Sequence, residues 1–422
     1  MTTSRSRLAP RLVRSTAAAL FTFWLAACSS SATGQRITDS GAPVTSSPPS
    51  TIALDSGIPS TSSSPPTTSG ATSSTSVDVA KAACITGLPL AVKVAQLVWP
   101  AVYGQELVQR TPTLTTWGVG GAVLMTWPIG ANSTDLVGMK TAGAIPLLIA
   151  TDEEGGPVQR LGLLGEFPSA AQVAATMTPA EAQAMISAHA VPVHQVGIDI
   201  VFAPVVDVAP LVGTGPIGVR SFGSDPTTVT EFADAYVRGW QSAGILPVLK
   251  HFPGHGSASA DTHQLGATTP PLDQLQQRDL LPYAALSPAN QSTAIPAGVV
   301  GVMVGHLTVP GLTDVGGLPA SLSPAAYQLL RDQYGYADAL VFTDALGMKA
   351  ISTTFTDAES AVLAIAAGAD VVIFTDTDAT PAVIQALISA TENLTVPMSR
   401  IDDAVGRVLT AKRFDPCTAA FN

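Results

Sequence analysis

The strongest constraint on the fold is a short apolar run that recurs along the chain and ends each time near a polar residue. The runs are Gly121–Met125, Ile145–Ala150, Ile198–Ala203, Ile245–Leu249, Val299–Val304, Leu340–Thr343 and Val371–Phe374. Continuous apolar runs bounded by Gly or Pro are typical of strands buried on both faces. Three of the intervening stretches have the length and alanine content of helices: Pro179–Val196, Thr227–Ala243 and Asp357–Ala367. This alternation of strand and helix predicts parallel pairing of the strands.

Polar side chains stand where these runs end. They are Asp152, Asp207, Lys250 with His251, His306, Asp344 and Asp376. Polar residues at the carboxyl ends of many strands are typical of a (β/α)8 barrel, whose active site is assembled there, whereas an open sheet concentrates its site at one point. We therefore predict an α/β fold, a single (β/α)8 TIM-type barrel. Seven strands are clear and Gln96–Trp99 is a candidate for the eighth, so an irregular barrel stays open.

The first 76 residues lack this pattern and indicate export. Four arginines precede the apolar run Thr16–Ala27, which is shorter than the about 20 residues that a transmembrane helix needs. Residues 1–27 are therefore predicted to be a signal peptide. Small residues directly before Cys28 resemble the bacterial lipoprotein box, so we expect Cys28 to be acylated and to anchor the mature chain to the cell membrane. An ordinary signal peptide beside an incidental cysteine is the alternative.

A tether and a folded domain follow the anchor. Residues 28–76 are dominated by Ser, Thr, Pro, Gly and Ala, a composition that cannot bury enough apolar surface to fold, and they are predicted to be a disordered tether. Residues 77–422 are predicted to form the barrel domain. Cys84 and Cys417 lie near the two ends of this domain, and outside the cytoplasm such a pair predicts a disulfide. Two unrelated thiols are the alternative.

The charge balance narrows the range of partners. Removing the leader leaves 16 basic and 31 acidic residues, a net charge of −15. Such a surface repels polyanions, so nucleic acid is not expected to bind, whereas a neutral or cationic glycan is not repelled.

Three ordered motifs carry a resemblance to a known family. They are DEEGGPVQR at 152–160, KHFPGHG at 250–256 followed by Asp-Thr-His at 261–263, and TDALGM at 343–348. These segments resemble the family 3 glycoside hydrolases, specifically the β-N-acetylglucosaminidase branch, and the resemblance extends from about Leu88 to Arg413. It implies an enzyme that removes terminal β-linked N-acetylglucosamine without a metal or other cofactor. We expect it to act as a monomer on wall-derived or chitin-type oligosaccharides.

The resemblance implies two catalytic groups. Asp344 matches the family nucleophile, which forms a glycosyl-enzyme intermediate; a helix N-cap is the alternative for an aspartate at this position. His263 matches the acid/base residue, with Asp261 two residues earlier on one loop. Because residues two apart in an extended loop project to the same side, the carboxylate is expected to hold one imidazole nitrogen and to favour the protonated ring. An isolated hydrogen bond within the loop is the alternative, and phosphate in place of water as acceptor stays open.

Five further residues are implied to bind the terminal sugar. Lys250, His251 and Arg160 match donors to sugar hydroxyls, and Asp152 matches an acceptor at the far edge of the sugar, which implies cleavage from chain ends. Arg220 matches the residue that holds the N-acetyl group. The alternatives are a buried salt bridge for Lys250 and His251, which the sequence places immediately after a strand, and a surface position for Arg220.

The remaining histidines and one departure from the family complete the predicted site. His255 is expected to brace its loop and His306 to line the barrel top, whereas His189 and His194 are expected to be structural residues of a helix. The family often has Arg where Pro157 stands, so a charge and a donor are missing on the aglycone side.

Two other functions have to be weighed. His251, His255 and His263 could form the centre of a metal hydrolase, but Pro253 and Gly254 break any helix that would give metal-binding spacing. A non-catalytic glycan-binding lipoprotein would share the anchor and the tether, yet such receptors have two lobes and the chain shows no duplication.

Overall fold

A computed structural model describes residues 74–126, 133–210, 213–288, 300–314 and 316–418. The predicted signal peptide, the predicted lipidation site Cys28 and the predicted tether up to residue 73 lie outside the described residues. The first helix begins at Ser74, so folded structure starts just inside the segment predicted to be the tether.

Twelve strands are present in the described part of the chain. They are β1 Val98–Val102, β2 Gly121–Leu124, β3 Leu148–Thr151, β4 Glu153–Gly155, β5 Val158–Gln159, β6 Ile200–Val201, β7 Leu246–Phe252, β8 Ala267–Thr268, β9 Gly301–Val304, β10 Leu307–Thr308, β11 Val341–Thr343 and β12 Val372–Phe374. Eight of them pair in parallel in the order β11-β9-β7-β6-β3-β2-β1-β12. A parallel bridge between Phe342 and Val371 joins the two ends of this sheet, so the sheet closes into a barrel.

Fourteen α-helices lie in the described part of the chain. They are α1 Ser74–Thr86, α2 Leu90–Gln96, α3 Leu107–Trp117, α4 Ser133–Thr141, α5 Ala170–Thr176, α6 Pro179–Gln195, α7 Pro226–Gln241, α8 Leu272–Gln277, α9 Leu281–Ala285, α10 Pro324–Gln328, α11 Lys349–Ser352, α12 Asp357–Ala367, α13 Thr380–Glu392 and α14 Met398–Ala411. Capping boxes at Thr178 and Thr356, each with a glutamate three residues later, explain where α6 and α12 begin. None of the described helices combines the length and apolar character needed to cross a bilayer.

The predicted α/β barrel is confirmed, with shifts at the ends of strands. The candidate eighth strand exists, but it begins at Val98 rather than at Gln96. The prediction that Lys250 and His251 follow a strand is wrong, because β7 continues through both residues to Phe252. The apolar pattern stops at the first polar residue. It therefore could not show that β7 continues through Lys250 and His251.

Aromatic side chains fill the barrel beneath its open end. Trp99, Phe202 and Phe342 are at most 1 % exposed, and Phe342 meets each of the other two edge-to-face at 5.4 Å between ring centroids. Because the interior is packed with side chains, the barrel is not a pore, and a ligand has access only to its rim.

The predicted disulfide between Cys84 and Cys417 is present, with the two Cα atoms 5.2 Å apart. It links α1 to the segment that follows α14 and closes a loop of 333 residues. A link across so long a loop removes much of the freedom of the unfolded chain.

Replacing Cys84 with Ser is therefore expected to lower the free energy of unfolding by about 2–4 kcal/mol. Thermal unfolding with and without a thiol reductant measures the effect. Reductant should bring the wild-type melting temperature down to that of the variant and should leave the variant unchanged. A wild-type melting temperature that is insensitive to reductant would contradict the prediction.

Candidate active site

A cavity of about 200 Å³ opens at the carboxyl ends of the barrel strands. Seven of the eight residues predicted to act in catalysis or sugar binding line it: Asp152, Arg160, Arg220, Lys250, His251, His263 and Asp344. The eighth, Asp261, contacts His263 from outside the lining. The structure thus brings Asp344 and His263, from two different strand ends, to one cavity. Its apolar walls include Val123, Met125, Phe202, Met303, Met348 and Ile373.

Asp344 follows directly after β11, and its Oδ1 accepts a hydrogen bond from the Ala345 N–H at 2.8 Å. Burial raises the pKa of Asp344, but the neighbouring rings of His251 and His306 and this hydrogen bond outweigh burial and hold the pKa below its ordinary value. The group is therefore an ionised carboxylate at neutral pH. The alternative of a helix N-cap is wrong, because α11 is preceded by Met348 as its N-cap residue.

His306 supports the backbone beside this carboxylate. Its Nε2 lies 2.9 Å from the Ala345 carbonyl oxygen, which can only accept, so Nε2 donates and Nδ1 accepts from the Ser321 hydroxyl at 2.7 Å. Burial lowers the pKa of His306, which keeps the ring neutral in this arrangement. His306 is thus buried outside the cavity lining, and it steadies the backbone next to Asp344.

The His263 ring contacts Asp261 as predicted, but not for the predicted reason. Asp261 Oδ1 accepts from both the backbone N–H of His263 at 2.9 Å and its Nδ1 at 2.8 Å. The loop is not extended: the N–H groups of Gln264 and Leu265 both donate to the Asp261 carbonyl oxygen, which makes a turn. The shared acceptor of an Asx-type turn brings the two side chains together. His263 is 61 % exposed and can approach a ligand at the cavity mouth.

Two hydrogen bonds attach this loop to its surroundings. The Ala350 N–H, at the start of α11, donates to the carbonyl oxygen of the buried Thr262 at 3.2 Å. His255 Nε2 lies 3.2 Å from the carbonyl oxygen of Ala260 and donates to it, so His255 braces the loop as predicted. Burial, with a further contribution from His251, lowers the pKa of His255 to about 4, so the brace is neutral at neutral pH.

Lys250 lies in β7 and makes two buried ion pairs. Its Nζ is 2.7 Å from Asp152 Oδ1 and 2.5 Å from Glu154 Oε1. Pairing of β7 with β9 shifts register between Leu249 and Phe252. Such an irregularity re-aims side chains, which allows the consecutive residues Lys250 and His251 both to line the cavity. Lys250 therefore forms the buried salt bridge that was the alternative to a role in sugar binding, and it also lines the cavity.

Asp207 fixes the orientation of His251. Its fully buried carboxylate accepts from His251 Nδ1 at 2.7 Å and from the backbone N–H groups of His251 and His255. Nδ1 is therefore the donor, and Nε2 is left as an acceptor 3.4 Å from Arg220 Nη2. The other predicted metal ligands, His255 and His263, also hold protein partners. Within the described ranges, no group of three or more His, Cys, Asp or Glu side chains is arranged to hold a metal ion.

The hairpin of β4 and β5 carries Arg160 towards the cavity. Its tight turn uses Gly155 at φ +92°, where an added Cβ would lie 2.5 Å from the Phe167 ring. Arg160 Nη2 lies 3.4 Å from Asp152 Oδ2, and the Arg160 N–H donates to Glu153. Pro157, where the family often has Arg, is exposed in this turn.

Sequence reasoning missed Glu154 and misplaced Asp376. Glu154 accepts from Arg220 Nε and Nη2, each at 2.8 Å, so Arg220 is a partly buried ion-pair partner rather than a surface arginine. A signal was available, because Glu154 is an acidic residue two positions after Asp152 in the same motif. Asp376 is exposed and accepts from the Asp378 N–H, while the preceding Thr375 lines the cavity.

The two helix histidines lie outside the cavity. His189 is buried and its Nε2 lies 2.8 Å from Glu153 Oε1, a contact that joins α6 to the hairpin. His194 is exposed. The position of His189 agrees with a structural role.

Comparison with known proteins agrees with this arrangement. The model of a family described as glycosyl hydrolase family 3 N terminal domain matches residues 90–411. A relative named Beta-hexosaminidase LpqI, from Mycobacterium tuberculosis, is 42 % identical over 372 residues, which are 83 % of this chain and 91 % of the relative.

Solved structures match as well. A family 3 glycosyl hydrolase from Mycobacterium smegmatis superposes with a TM-score of 0.71 at 40 % identity and covers 78 % of this chain and 98 % of its own. A family 3 β-N-acetylglucosaminidase from Paenibacillus sp. also has a TM-score of 0.71, at 32 % identity, and covers 80 % of this chain and 64 % of its own.

The fold, the cavity and these matches define a glycoside hydrolase, and the chain belongs to glycosyl hydrolase family 3. Within that family it is of the β-N-acetylhexosaminidase type, as the three motifs predicted. The alternative of a non-catalytic glycan-binding lipoprotein is set aside by this membership.

Proposed function

We propose that the chain is a retaining exo-β-N-acetylglucosaminidase that removes terminal β-linked N-acetylglucosamine from wall-derived or chitin-type glycans. The observation that carries the proposal is that the Asp344 carboxylate and the His263 imidazole line one small cavity together with the sugar-binding residues. A retaining glycosidase needs a nucleophile and an acid at the two sides of one glycosidic bond.

In the first step, an Asp344 oxygen attacks the anomeric carbon and forms a covalent ester while the glycosidic C–O bond breaks. The electron pair of that bond goes to the leaving oxygen, which takes a proton from His263. Since Nδ1 is held by Asp261, Nε2 is the nitrogen that transfers the proton. The apolar cavity walls limit the water that competes for the anomeric carbon.

In the second step, His263 accepts a proton from water as the water oxygen attacks the anomeric carbon. The bond from that carbon to Asp344 breaks, and the carboxylate is regenerated. Two inversions at one carbon give net retention of the β configuration. Asp261 is well suited to stabilise the protonated ring, because two hydrogen bonds from His263 offset its partial burial and hold its pKa below the ordinary value.

The small volume and the charged wall of the cavity favour removal of single terminal sugars. Ligand pockets usually measure about 300–1,000 Å³, so a cavity of about 200 Å³ suits one sugar residue. Asp152, Lys250 and Arg160 form a connected ion-pair group on its wall. Sugar hydroxyls that bind these groups would be unavailable for a further glycosidic linkage.

Export of the chain and its anchoring to the bacterial cell membrane through Cys28 belong to the same proposal. The disulfide between Cys84 and Cys417 supports a location outside the cytoplasm, because structural disulfides persist in oxidising compartments. A monomer held there could reach wall glycans directly.

A matched set of aryl β-glycosides tests the proposed specificity. The same chromogenic leaving group is attached to N-acetylglucosamine, glucose and xylose, and kcat/KM is measured for each. We expect a preference of about 100-fold or more for the N-acetylglucosamine substrate, because the donor that Arg220 would offer to the acetamido carbonyl has no acceptor in the other two substrates. Equal or faster hydrolysis of the glucoside or xyloside would overturn the role of Arg220.

A second experiment adds inorganic phosphate to the reaction and identifies the sugar product. Free N-acetylglucosamine shows that water is the acceptor, whereas N-acetylglucosamine 1-phosphate shows that phosphate is the acceptor.

A further inference from the structure

Glu154 lies behind the cavity, and its carboxylate is used entirely by two cavity residues. The side chain is 4 % exposed and is not part of the cavity lining. Oε2 accepts from Arg220 Nε, whereas Oε1 accepts from Arg220 Nη2 and pairs with Lys250 Nζ. Burial raises the pKa of Glu154, but Arg220 and Lys250 outweigh burial and lower the pKa to about 2. The group is therefore anionic throughout the neutral range.

The neighbouring glutamate provides an internal comparison. Glu153 and Glu154 are consecutive residues of β4, and their side chains go to different partners. Glu153 turns to His189, Gln159 and the backbone N–H groups of Arg160 and Leu161. Glu154 turns to the cavity residues. Both are buried carboxylates of one strand, but only Glu154 contacts side chains of the sugar-binding residues, whereas Glu153 reaches Arg160 through its backbone N–H alone.

The contact between Glu154 and Arg220 determines which nitrogen of the Arg220 guanidinium is left to bind a ligand. A guanidinium has three nitrogens, and Nε and Nη2 are both engaged by Glu154. Within the described part of the chain, no hydrogen bond from Arg220 Nη1 to the protein is found. Since Arg220 lines the cavity, Nη1 is the donor available there.

We propose that Glu154 is a positioning residue for recognition of the 2-acetamido group. Glu154 holds the Arg220 guanidinium so that Nη1 can donate to the acetamido carbonyl. Its negative charge also offsets the positive charge of Arg220, so that this donor suits a neutral amide better than an anion. Lys250 keeps Asp152 as a second partner and depends less on Glu154. This inference rests on the proposed function, because it concerns the same cavity and the same substrate.

A double-mutant cycle tests the inference. Glu154→Gln, Arg220→Lys and the double variant are compared by the ratio of kcat/KM for matched aryl β-glycosides of N-acetylglucosamine and glucose. Glu154→Gln keeps the shape but removes the charge and one acceptor site, so we expect the ratio to fall about 10- to 100-fold. If Glu154 acts through Arg220, the double variant should lose no more than the larger single loss. Where the glucoside is hydrolysed too slowly to measure, competitive inhibition constants of N-acetylglucosamine and glucose give the ratio.

Glu153→Gln is the matched control, because it removes a buried carboxylate from the same strand and should lower the melting temperature without changing the ratio. If Glu154→Gln does not fold, Glu154→Asp keeps the charge, shortens the reach to Arg220 and should lower the ratio. Additive losses in the cycle, or an unchanged ratio in a folded variant, would overturn the positioning role. Failure of the proposed function looks different, since the wild-type enzyme would then show no preference for N-acetylglucosamine.

Discussion

Asp344→Asn is expected to lower kcat/KM for aryl β-N-acetylglucosaminide by about 10³-fold or more, as is typical when a nucleophile is removed. The amide has nearly the same shape, and its oxygen can still accept from the Ala345 N–H, so the fold is expected to survive. What is lost is the negative charge of a carboxylate whose pKa is held below its ordinary value. Initial-rate kinetics on the purified variant, with its melting temperature, measure the effect.

Asp376→Asn is the matched control for this experiment. Asp376 also stands near the end of a barrel strand, but it is exposed and lies outside the cavity lining. This variant should keep nearly full activity. If folded Asp344→Asn retained more than about a tenth of wild-type activity, another group would have to be the nucleophile.

His263→Ala is expected to have an effect that depends on the leaving group. With a sugar alcohol as leaving group, loss of the acid should lower the rate about 10²- to 10⁴-fold, the usual contribution of general acid–base catalysis. With a strongly acidic phenol as leaving group, the first step needs little protonation and should be nearly unchanged. Burst kinetics would then show the glycosyl-enzyme accumulating, because the second step still lacks its base.

The exposed His194 on α6 offers the control, since His194→Ala should be kinetically silent. Stability should be nearly unchanged in both variants, because the His263 side chain is 61 % exposed. An equal loss on activated and unactivated substrates would rule His263 out as the acid and leave it a role in binding.

Much of the fold was predictable because barrel strands are buried on both faces. Such strands are continuous apolar runs, so a run such as Gly121–Met125 can be recognised from the sequence alone. Helix α12 was predicted with its observed bounds Asp357–Ala367. The limits appeared where polar residues enter strands. Lys250 and His251 belong to β7, but no apolar pattern marks a strand residue whose polar side chain faces a ligand.

The site was predictable wherever a motif carried a functional side chain, and less so where a role depends on side-chain direction. Glu154 was overlooked because its importance follows from contacts with Arg220 and Lys250, two residues that are distant from it in the sequence. Asp376 was expected at the cavity because it stands near the end of the last barrel strand. The residue that lines the cavity is Thr375, which directly follows the end of β12 at Phe374. The turn at Asp261 was mistaken for an extended segment, since its hydrogen bonds depend on backbone angles that composition alone does not determine.

The pairing of β1 with β12 has a consequence for how the enzyme is made. Val98 meets Val372, so the far edge of the first barrel strand acquires its neighbour only after about 270 further residues have left the ribosome. At roughly 5–20 residues per second, that interval lasts on the order of 15–55 s. During biosynthesis the edge of this apolar strand is thus uncovered for roughly a quarter of a minute to nearly a minute, a period in which chaperones must shield the nascent chain from aggregation.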